Sequence, residues 1–167
     1  MSVVRLMKAV DLAEVIRVQA ECYVPYMNES ETVIGLRLGA APATHWVAEL
    51  AGEVVAYLAA YPSRLGKVTP LSGCFELAGD PDCLYLHDLA VSPRARGSGV
   101  GAALIRHARA TAVSSGLAHS ALVSVQDSRA FWERQGYRVL ENLEAGQGAR
   151  LASYASPGWY MTCRISA

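Results

Sequence analysis

The spacing of apolar residues in the first half of the chain predicts short strands and two helices. Residues 3–7 alternate apolar and polar side chains, as a half-buried strand does. Residues 11–20 place apolar side chains on one helical face, and Asp11 is of the residue type that begins helices. The next elements are predicted to be a helix and the two strands of a hairpin, at residues 30–38, 45–50 and 54–60.

The second half of the chain is dominated by a buried strand and a clear helix. Residues 84–91 carry apolar side chains on both faces, which a central strand requires. Apolar residues then recur every four positions from Val100 to Ala112, so residues 99–115 are predicted to form a helix that ends at Gly116. Residues 61–82 have no clean period and predict a long loop. A strand, a short helix and two strands follow, at residues 118–124, 128–135, 137–140 and 158–165.

Length and composition indicate one folded unit. The chain has 167 residues and no stretch that would separate two domains, so residues 1–167 are predicted to form a single mixed α/β domain. Hydrophobic residues make up 52% and charged residues 18%, which excludes a disordered chain. Lysine plus arginine and aspartate plus glutamate both total 15, and this balance predicts no binding to nucleic acid or to a membrane.

The cysteines and the amino terminus bear on the compartment. No apolar run at the amino terminus has the form of a secretion signal, and no window approaches the roughly 18 apolar residues of a membrane span. The four cysteines are scattered without paired spacing, which predicts a reduced, cytoplasmic protein. Cys74, Cys83 and His87 are residue types that bind metals, but no C-x-x-C pair supports a site, so no metal is predicted.

The segment SPRARGSGVGA, residues 92–102, leaves the buried strand and enters the helix. The first N–H groups of a helix lack partners and lie at the positive end of its dipole, so they bind phosphate oxygens. Glycines let the main chain approach an anion, and Arg94 and Arg96 add positive charge. A nucleoside-triphosphate loop is excluded, because no lysine followed by serine or threonine comes after the glycines. A tight connection with incidental glycines remains the alternative.

The run from residue 84 to residue 137 resembles the GNAT superfamily of N-acetyltransferases. Arg96, Gly99 and Gly101 match its signature of Arg or Gln, two residues, Gly, one residue, and Gly or Ala. The segment FWERQGYR, residues 131–138, is similar to its FYE-x-x-GF element. The resemblance implies an α/β (α+β) fold, in which a twisted, mostly antiparallel mixed sheet with splayed central strands four and five is flanked by helices.

The resemblance also implies an acetyl-CoA-dependent N-acetyltransferase. Such an enzyme moves an acetyl group from acetyl-CoA to the primary amine of a small molecule, including a polyamine-like one, or to a protein amino group, and homodimers are common. Pantetheine would bond to the main chain of strand four, and the pyrophosphate to N–H groups of the glycine loop. The implied cofactor-binding residues are Leu89, Ala90, Val91, Arg96, Gly97, Ser98, Gly99, Val100, Gly101, Ala102, Ser128 and Trp132.

The triplet His87-Asp88-Leu89 resembles the Glu-Asp-hydrophobic triplet of the polyamine-acetylating branch, which places His87 where that branch has its glutamate. Aminolysis of a thioester needs a base and a stabilised oxyanion. Histidine titrates near neutrality and suits the base, and the main-chain N–H of Leu89 would bind the oxyanion. A hydrogen-bonded structural histidine is the alternative. In a regular strand, Asp88 points to the face opposite His87.

One departure from the family pattern concerns the acid. Trp132 stands where many relatives have a tyrosine that protonates the thiolate, and its indole is no useful acid. The thiolate would leave unprotonated, or take its proton from water, Ser128 or Tyr137. A catalytically silent acyl-CoA sensor and an interaction domain without CoA are therefore the alternative functions.

The acceptor side of the site is predicted to lie in the first helices. Tyr23, Tyr26 and Glu29 are the candidate substrate-binding residues there, together with His87. Tyrosine and glutamate side chains hold a cationic amine by stacking and ion pairing. Packing of a lid is the other interpretation of the same residues.

Overall fold

The computed structural model describes residues 2–155 and 157–165. The described strands are β1 (Ser2–Leu6), β2 (His45–Leu50), β3 (Glu53–Ser63), β4 (Cys83–Val91), β5 (His119–Ser124), β6 (Arg138–Val139) and β7 (Trp159–Arg164). The described α-helices are α1 (Leu12–Cys22), α2 (Glu31–Ala40), α3 (Val100–Ser114), α4 (Arg129–Arg134) and α5 (Gln147–Ala152).

The strands form a sheet in the order β1-β2-β3-β4-β5-β7-β6. Every described neighbour pair is antiparallel except β4 and β5, which run parallel. A parallel pair needs a crossover, and α3 supplies it between β4 and β5. The predicted mostly antiparallel mixed sheet with flanking helices is confirmed.

Alternation along β2 and β3 divides the core between the two faces of the sheet. Trp46 and Leu58 belong to a cluster that packs against α3, whereas Val47 and Tyr57 pack against α1 and α2 on the opposite face. Successive strand residues point to opposite faces, so both faces can be buried when helices cover each of them. The buried stripe of α3 includes Val100, Leu104, Ala108 and Ala112, as the four-residue period predicted.

The central strands separate along their length. Cys83–Leu86 of β4 pair with His119–Leu122 of β5, and the recorded pairing ends there. The remaining residues of β4, His87 to Val91, run on without β5 beside them. This is the predicted splay, and it opens a gap at the carboxyl ends of two parallel strands, where ligands commonly bind in α/β sheets.

Some elements differ from the sequence prediction. The strand predicted at residues 54–60 continues to Ser63, because Pro62 pairs with Leu84 at the end of the ladder. The helix α5 was not predicted, and β6 is only two residues long. Ser30 caps α2 through Val33 N–H, whereas the carboxylate of Asp11 bonds Lys8 N–H and Arg5 rather than its own helix.

No helix in residues 2–155 and 157–165 is long and apolar enough to cross a membrane.

Candidate active site

A cavity of about 570 Å³ lies in the gap between β4 and β5. The carboxyl end of α1, the second half of β4 and the segment from β5 into α4 form its walls. Its volume is in the range of sites for small molecules and cofactors. His87 and Arg96 both line the cavity, whereas residues 97–102 of the predicted glycine loop do not.

The main chain of β4 presents alternate residues to this gap. Ser92 N–H donates to the Val55 carbonyl at 2.8 Å, which fixes the ladder phase with β3. By that phase Ala90 pairs with Tyr57 through its own N–H and C=O, while those of Leu89 and Val91 point away from β3. The main-chain groups of Ala90 thus serve the sheet, although Ala90 lines the cavity, and its predicted contact with pantetheine stays a prediction.

The carbonyls that β4 turns toward the gap already accept hydrogen bonds from the end of α1. The Tyr23 hydroxyl lies 3.0 Å from the Leu89 carbonyl oxygen, and Cys22 Sγ lies 3.2 Å from that of Val91. The N–H groups of Leu89 and Val91 face the same gap, where β5 does not reach them. This geometry is compatible with the oxyanion-binding role predicted for Leu89 N–H.

A β-bulge changes the direction of the side chains before Leu89. Ala59 of β3 pairs with Asp88 and Ala60 pairs with Leu86, so His87 is the extra residue of β4. A bulge interrupts the alternation of side chains. His87 contacts the loop before α2 and Asp88 contacts α1, on the same side of the sheet. The prediction that Asp88 points to the face opposite His87 is wrong, because the strand is not regular there.

Glu29 holds His87 from the loop before α2. Its Oε1 lies 3.1 Å from His87 Nε2, and Arg37 donates to both carboxylate oxygens at 2.6 Å. Ser72 N–H adds a bond of 2.7 Å to Oε2. Burial opposes ionisation, but hydrogen bonds and charges of His87 and Arg37 outweigh it and lower the pKa of Glu29 well below its ordinary value. The carboxylate is therefore ionised and already has its counterion.

This arrangement fixes the tautomer of a neutral His87. An ionised Glu29 accepts only, so Nε2 of His87 carries the proton that the contact needs. Nδ1 then keeps a lone pair, and it has no hydrogen-bond partner among the described residues. His87 lines the cavity, so a base whose ring Glu29 orients at Nε2 lies beside the gap.

A second buried carboxyl lies next to His87. The oxygens of Asp88 contact the hydroxyls of Tyr23, at 2.6 Å, and of Tyr57. Burial raises the pKa of Asp88 above its ordinary value, and the two hydroxyls oppose this shift only in part. Burial also raises the pKa of both phenols.

The glycine loop leads from β4 into α3 at the other end of the cavity. Gly97 and Gly99 have φ of 77° and 83°, and a side chain at either would meet no described atom within 4 Å. Open space therefore lies beside the loop that enters α3, at the positive end of the helix dipole. Ser98 differs from the rest of the predicted set, because its N–H and hydroxyl both bond the Ala95 carbonyl. Arg96 lines the cavity.

These features have counterparts in a known family. A family model described as the acetyltransferase (GNAT) family matches residues 12–137. The chain belongs to this family. A comparison with curated proteins finds no sequence match.

Solved structures of GNAT proteins share the whole fold. A GNAT-like decarboxylase, GphF, in complex with isobutyryl-CoA superposes with a TM-score of 0.77 at 16% identity, covering 98% of this chain and 100% of that one. The loading GNATL domain of CurA from Lyngbya majuscula gives 0.78 at 13% identity, with 99% and 98% covered. The ribosomal-protein-S18-alanine N-acetyltransferase from Escherichia coli gives 0.71 at 16% identity, with 100% and 96% covered. Identities this low establish a common fold.

The residues predicted at the thiol end of the GNAT site differ in their surroundings. Trp132 is 7% exposed, lines the cavity and meets Tyr137 edge-on. Ser128 also lines the cavity, with its hydroxyl 2.9 Å from that of Ser124. Tyr137 is buried, does not line the cavity and bonds Ser120 at 2.8 Å. Of the two side chains predicted as alternative acids, Ser128 alone is at the GNAT cavity.

The predicted substrate residues lie in three different settings. Tyr23 lines the cavity. Tyr26 is 55% exposed and does not contribute to the cavity wall. Glu29 lines the cavity but is paired with Arg37, so it is not a free counterion for a cationic amine.

Sequence reasoning missed the partners of these GNAT site residues. Arg37, Tyr57 and Tyr154 contact the site from α2, β3 and the segment after α5. No local motif marks them: Tyr57 is 31 positions from Asp88 in the chain, and Arg37 is eight positions from Glu29, across the start of α2. Gln126 also lines the cavity, where it bonds Val24 N–H and the Cys22 carbonyl.

The described residues contain no group of three or more histidine, cysteine, aspartate or glutamate side chains placed to hold a metal ion.

Proposed function

We propose that the protein is an acetyl-CoA-dependent N-acetyltransferase that acts on the primary amine of a small molecule or on a protein amino group. One observation carries the proposal. His87, held at Nε2 by Glu29, lies two residues before Leu89, whose N–H faces the gap between β4 and β5. A base and an oxyanion donor are the two groups that aminolysis of a thioester requires.

The gap has the features that a CoA thioester needs. Val91 presents a main-chain N–H group that suits a pantetheine amide and leaves Leu89 N–H for the oxyanion, and Trp132 and Phe131 give the cavity an apolar wall. The loop of Gly97, Gly99 and Gly101 leaves the start of α3 open to a pyrophosphate. Isobutyryl-CoA in the structure of the GNAT-like decarboxylase supports an acyl-CoA ligand for this fold.

The chemistry then follows from the positions of the side chains. His87 Nδ1 removes the proton from the amine, directly or through water, as the nitrogen attacks the thioester carbonyl. Leu89 N–H stabilises the negative charge that develops on the carbonyl oxygen. Glu29 orients the ring and balances the imidazolium, while Arg37 keeps Glu29 ionised. Glu29 is thus a positioning residue in this mechanism.

Assembly and compartment are part of the same proposal. Residues 1–167 would act as one domain in the cytoplasm, where the free thiols of Cys22, Cys74, Cys83 and Cys163 stay reduced. A homodimer is the oligomeric state expected from the family resemblance. Size-exclusion chromatography with light scattering measures it directly.

Two assays test the proposal in sequence. Thermal shift with CoA and acetyl-CoA should raise the melting temperature, and thiol release should then depend on one class of amine in a panel of polyamines, amino acids, aminoglycosides and peptides. Binding without thiol release for any amine would favour a catalytically silent acyl-CoA sensor. No thermal shift with either compound would favour an interaction domain.

A further inference from the structure

Three close oxygen contacts link Tyr57, Asp88, Tyr23 and the carbonyl of Leu89 in a chain. The Tyr57 hydroxyl contacts Asp88 Oδ2, Asp88 Oδ1 lies 2.6 Å from the Tyr23 hydroxyl, and that hydroxyl lies 3.0 Å from the Leu89 carbonyl oxygen. Each hydrogen bond needs one proton. The two phenols supply two and the carbonyl none, so an ionised Asp88 would leave one contact without a proton.

A neutral carboxyl resolves this count. Tyr57 then donates to Oδ2 of Asp88, the Asp88 hydroxyl donates to the Tyr23 oxygen, and Tyr23 donates to the Leu89 carbonyl. Each of the three contacts then has one proton, and no two acceptor oxygens face each other without a hydrogen atom between them. Unmatched buried polar groups are rare because they cost free energy, so the neutral form is favoured.

We propose that Asp88 is a neutral carboxylic acid and that Tyr23 is the acid that protonates the departing thiolate, with Asp88 replacing the proton that Tyr23 gives up. This inference rests on the proposed acyltransferase function and deepens it, because it assigns the acid that Trp132 cannot supply.

The surroundings of Asp88 favour the neutral form. Five titratable groups act on Asp88. They are Cys22 at the end of α1, Tyr23 in the segment that follows it, Tyr57 of β3, His87 of β4 and Glu29 in the loop before α2. Arg37 already balances the charge of Glu29, and no cation forms a salt bridge with Asp88 among the described residues. Burial accordingly raises the pKa of Asp88, in the same direction as the proton count.

Tyr23 is the phenol in the right place for the thiolate. It lines the cavity and bonds the carbonyl of Leu89, the residue whose N–H would bind the oxyanion. Tyr154 also lines the cavity and bonds the Thr69 carbonyl at 2.7 Å, but among the described residues no carboxyl is hydrogen-bonded to its hydroxyl to replace a proton that it gave up. The Asp88 carboxyl contacts the Tyr23 hydroxyl and can replace its proton, which an isolated phenol lacks.

The proton transfers balance. As the C–N bond forms and the C–S bond breaks, the amine proton passes to His87 Nδ1 and the Tyr23 proton passes to sulfur. The Asp88 proton moves to the Tyr23 oxygen and leaves a carboxylate that both phenols then bond. His87 returns its proton to solvent and Asp88 takes one up, which restores the starting state.

The relay is needed because a phenol alone is a weak donor to a thiolate. A free phenol has a pKa of about 10 and a thiol about 8.5, so direct transfer is uphill. A carboxylic acid is ordinarily a much stronger acid than either group. Delivery from Asp88 through Tyr23 makes protonation of the sulfur favourable. The bulge at His87 aids this by placing the base and the proton reservoir on one side of β4.

Infrared spectroscopy tests the protonation of Asp88 without any activity measurement. The wild-type protein at pH 7 should show a carboxylic-acid C=O band that is missing from Asp88→Asn. Absence of that band in the wild type would overturn the proposal. Wild-type protein with ¹³C-labelled aspartate carboxyls gives the same readout by NMR titration and needs no variant that must fold.

Kinetics with two donors tests the role of Tyr23. Tyr23→Phe should lower kcat/KM with acetyl-CoA by about 10² to 10⁴ while CoA affinity changes little. With an acetyl thioester of an acidic aryl thiol, which leaves without protonation, the loss should be less than tenfold. Tyr57→Phe is the matched control. It also removes a hydroxyl that contacts Asp88, but it keeps the proton path from Asp88 through Tyr23 to the gap, so kcat/KM should fall less than tenfold with both donors.

Equal losses of Tyr23→Phe with both donors, or no loss with acetyl-CoA, would overturn the acid role. If the wild-type protein neither binds acetyl-CoA nor releases thiol, the proposed function fails and takes the acid role with it. The infrared band separates that outcome, since it decides the state of Asp88 by itself.

Discussion

The two ends of the cavity are built in different ways. At the phosphate end, one continuous segment, residues 96–102, holds two exposed glycines with positive φ and leads into the first turn of α3. At the His87 end, buried side chains from distant parts of the chain meet, with Glu29 and His87 58 positions apart and Glu29 and Ser72 43 apart. The first end depends on local backbone geometry and the second on tertiary packing.

Because of this difference, substitutions at the two ends should have different effects on stability and ligand affinity. The phosphate end is solvated, so a substitution there should change ligand affinity with a limited cost in stability. The His87 end is buried and charged, so removal of one partner leaves another group uncompensated. Variants at the second end should therefore affect stability and catalysis together, unless they are chosen to keep the network satisfied.

The largest effect is expected from Arg37→Met. This change leaves the Glu29 carboxylate buried without its bidentate partner, and the Gly73 carbonyl loses two bonds from the same side chain. Breaking a buried ion pair costs about 3–5 kcal/mol of the free energy of unfolding. Urea denaturation measures the change. The double variant Arg37→Met with Glu29→Leu should recover part of the loss, and a single variant as stable as the wild type would contradict the assignment.

The same pair should also contribute to acid sensitivity. The folded pKa of Glu29 lies below its ordinary value of 4.5, so its contribution to stability is complete above that value. The contribution is lost as pH falls through the folded pKa. Urea midpoints of the wild type and Glu29→Gln should accordingly converge as the pH falls from 5 to 2. Parallel pH curves for the two proteins would exclude this role.

His87→Ala should lower turnover by about 10² to 10⁴, the usual contribution of a positioned base. CoA affinity should change little, because the ring contacts Glu29 rather than the glycine loop. His87→Gln keeps a hydrogen bond to Glu29 but cannot accept the amine proton, so it should not restore activity. Steady-state kinetics and calorimetry with CoA measure both quantities.

His119→Gln is a matched control for His87. His119 lies on β5, also has a buried Nδ1 with no partner among the described residues, and does not line the cavity. Its substitution should leave turnover within a few-fold of the wild type. Full activity in His87→Gln with an unchanged pH profile would remove His87 from the mechanism.

A smaller effect is expected from Gly99→Val at the phosphate end. The branched side chain would project into the open space before α3, and CoA affinity should fall about tenfold or more. Gly116→Val is the control, because Gly116 has φ of 75° and open space at the other end of the same helix. Both changes carry about 1–2 kcal/mol of backbone strain. Equal CoA affinity in the two variants would place the ligand elsewhere.

The same contrast explains how much the sequence could predict. The glycine loop and the stripe of α3 follow from spacing over a few residues, whereas the mostly antiparallel sheet was implied by the family resemblance. The ion pair of Glu29 with Arg37 could not be predicted, because nothing in the chain ties a loop residue to the last turn of α2. The bulge at His87 was also missed, since it arises from an extra residue on one strand only.

The smallest effect is expected from Trp132→Phe, which tests whether this residue belongs to packing or to chemistry. Phenylalanine keeps an aromatic wall for the cavity and the edge contact with Tyr137, so stability should fall by only about 1 kcal/mol. CoA affinity should fall by less than tenfold, because some apolar contact near the thiol end is lost. The indole N–H is a donor but no acid at accessible pH, so the pH profile of turnover should stay unchanged. A selective loss of the alkaline limb of the pH profile in Trp132→Phe would give Trp132 a part in proton transfer. If the alkaline limb is lost only in Tyr23→Phe, the acid lies on the side of the gap that α1 forms, as the oxygen contacts of Tyr23 indicate.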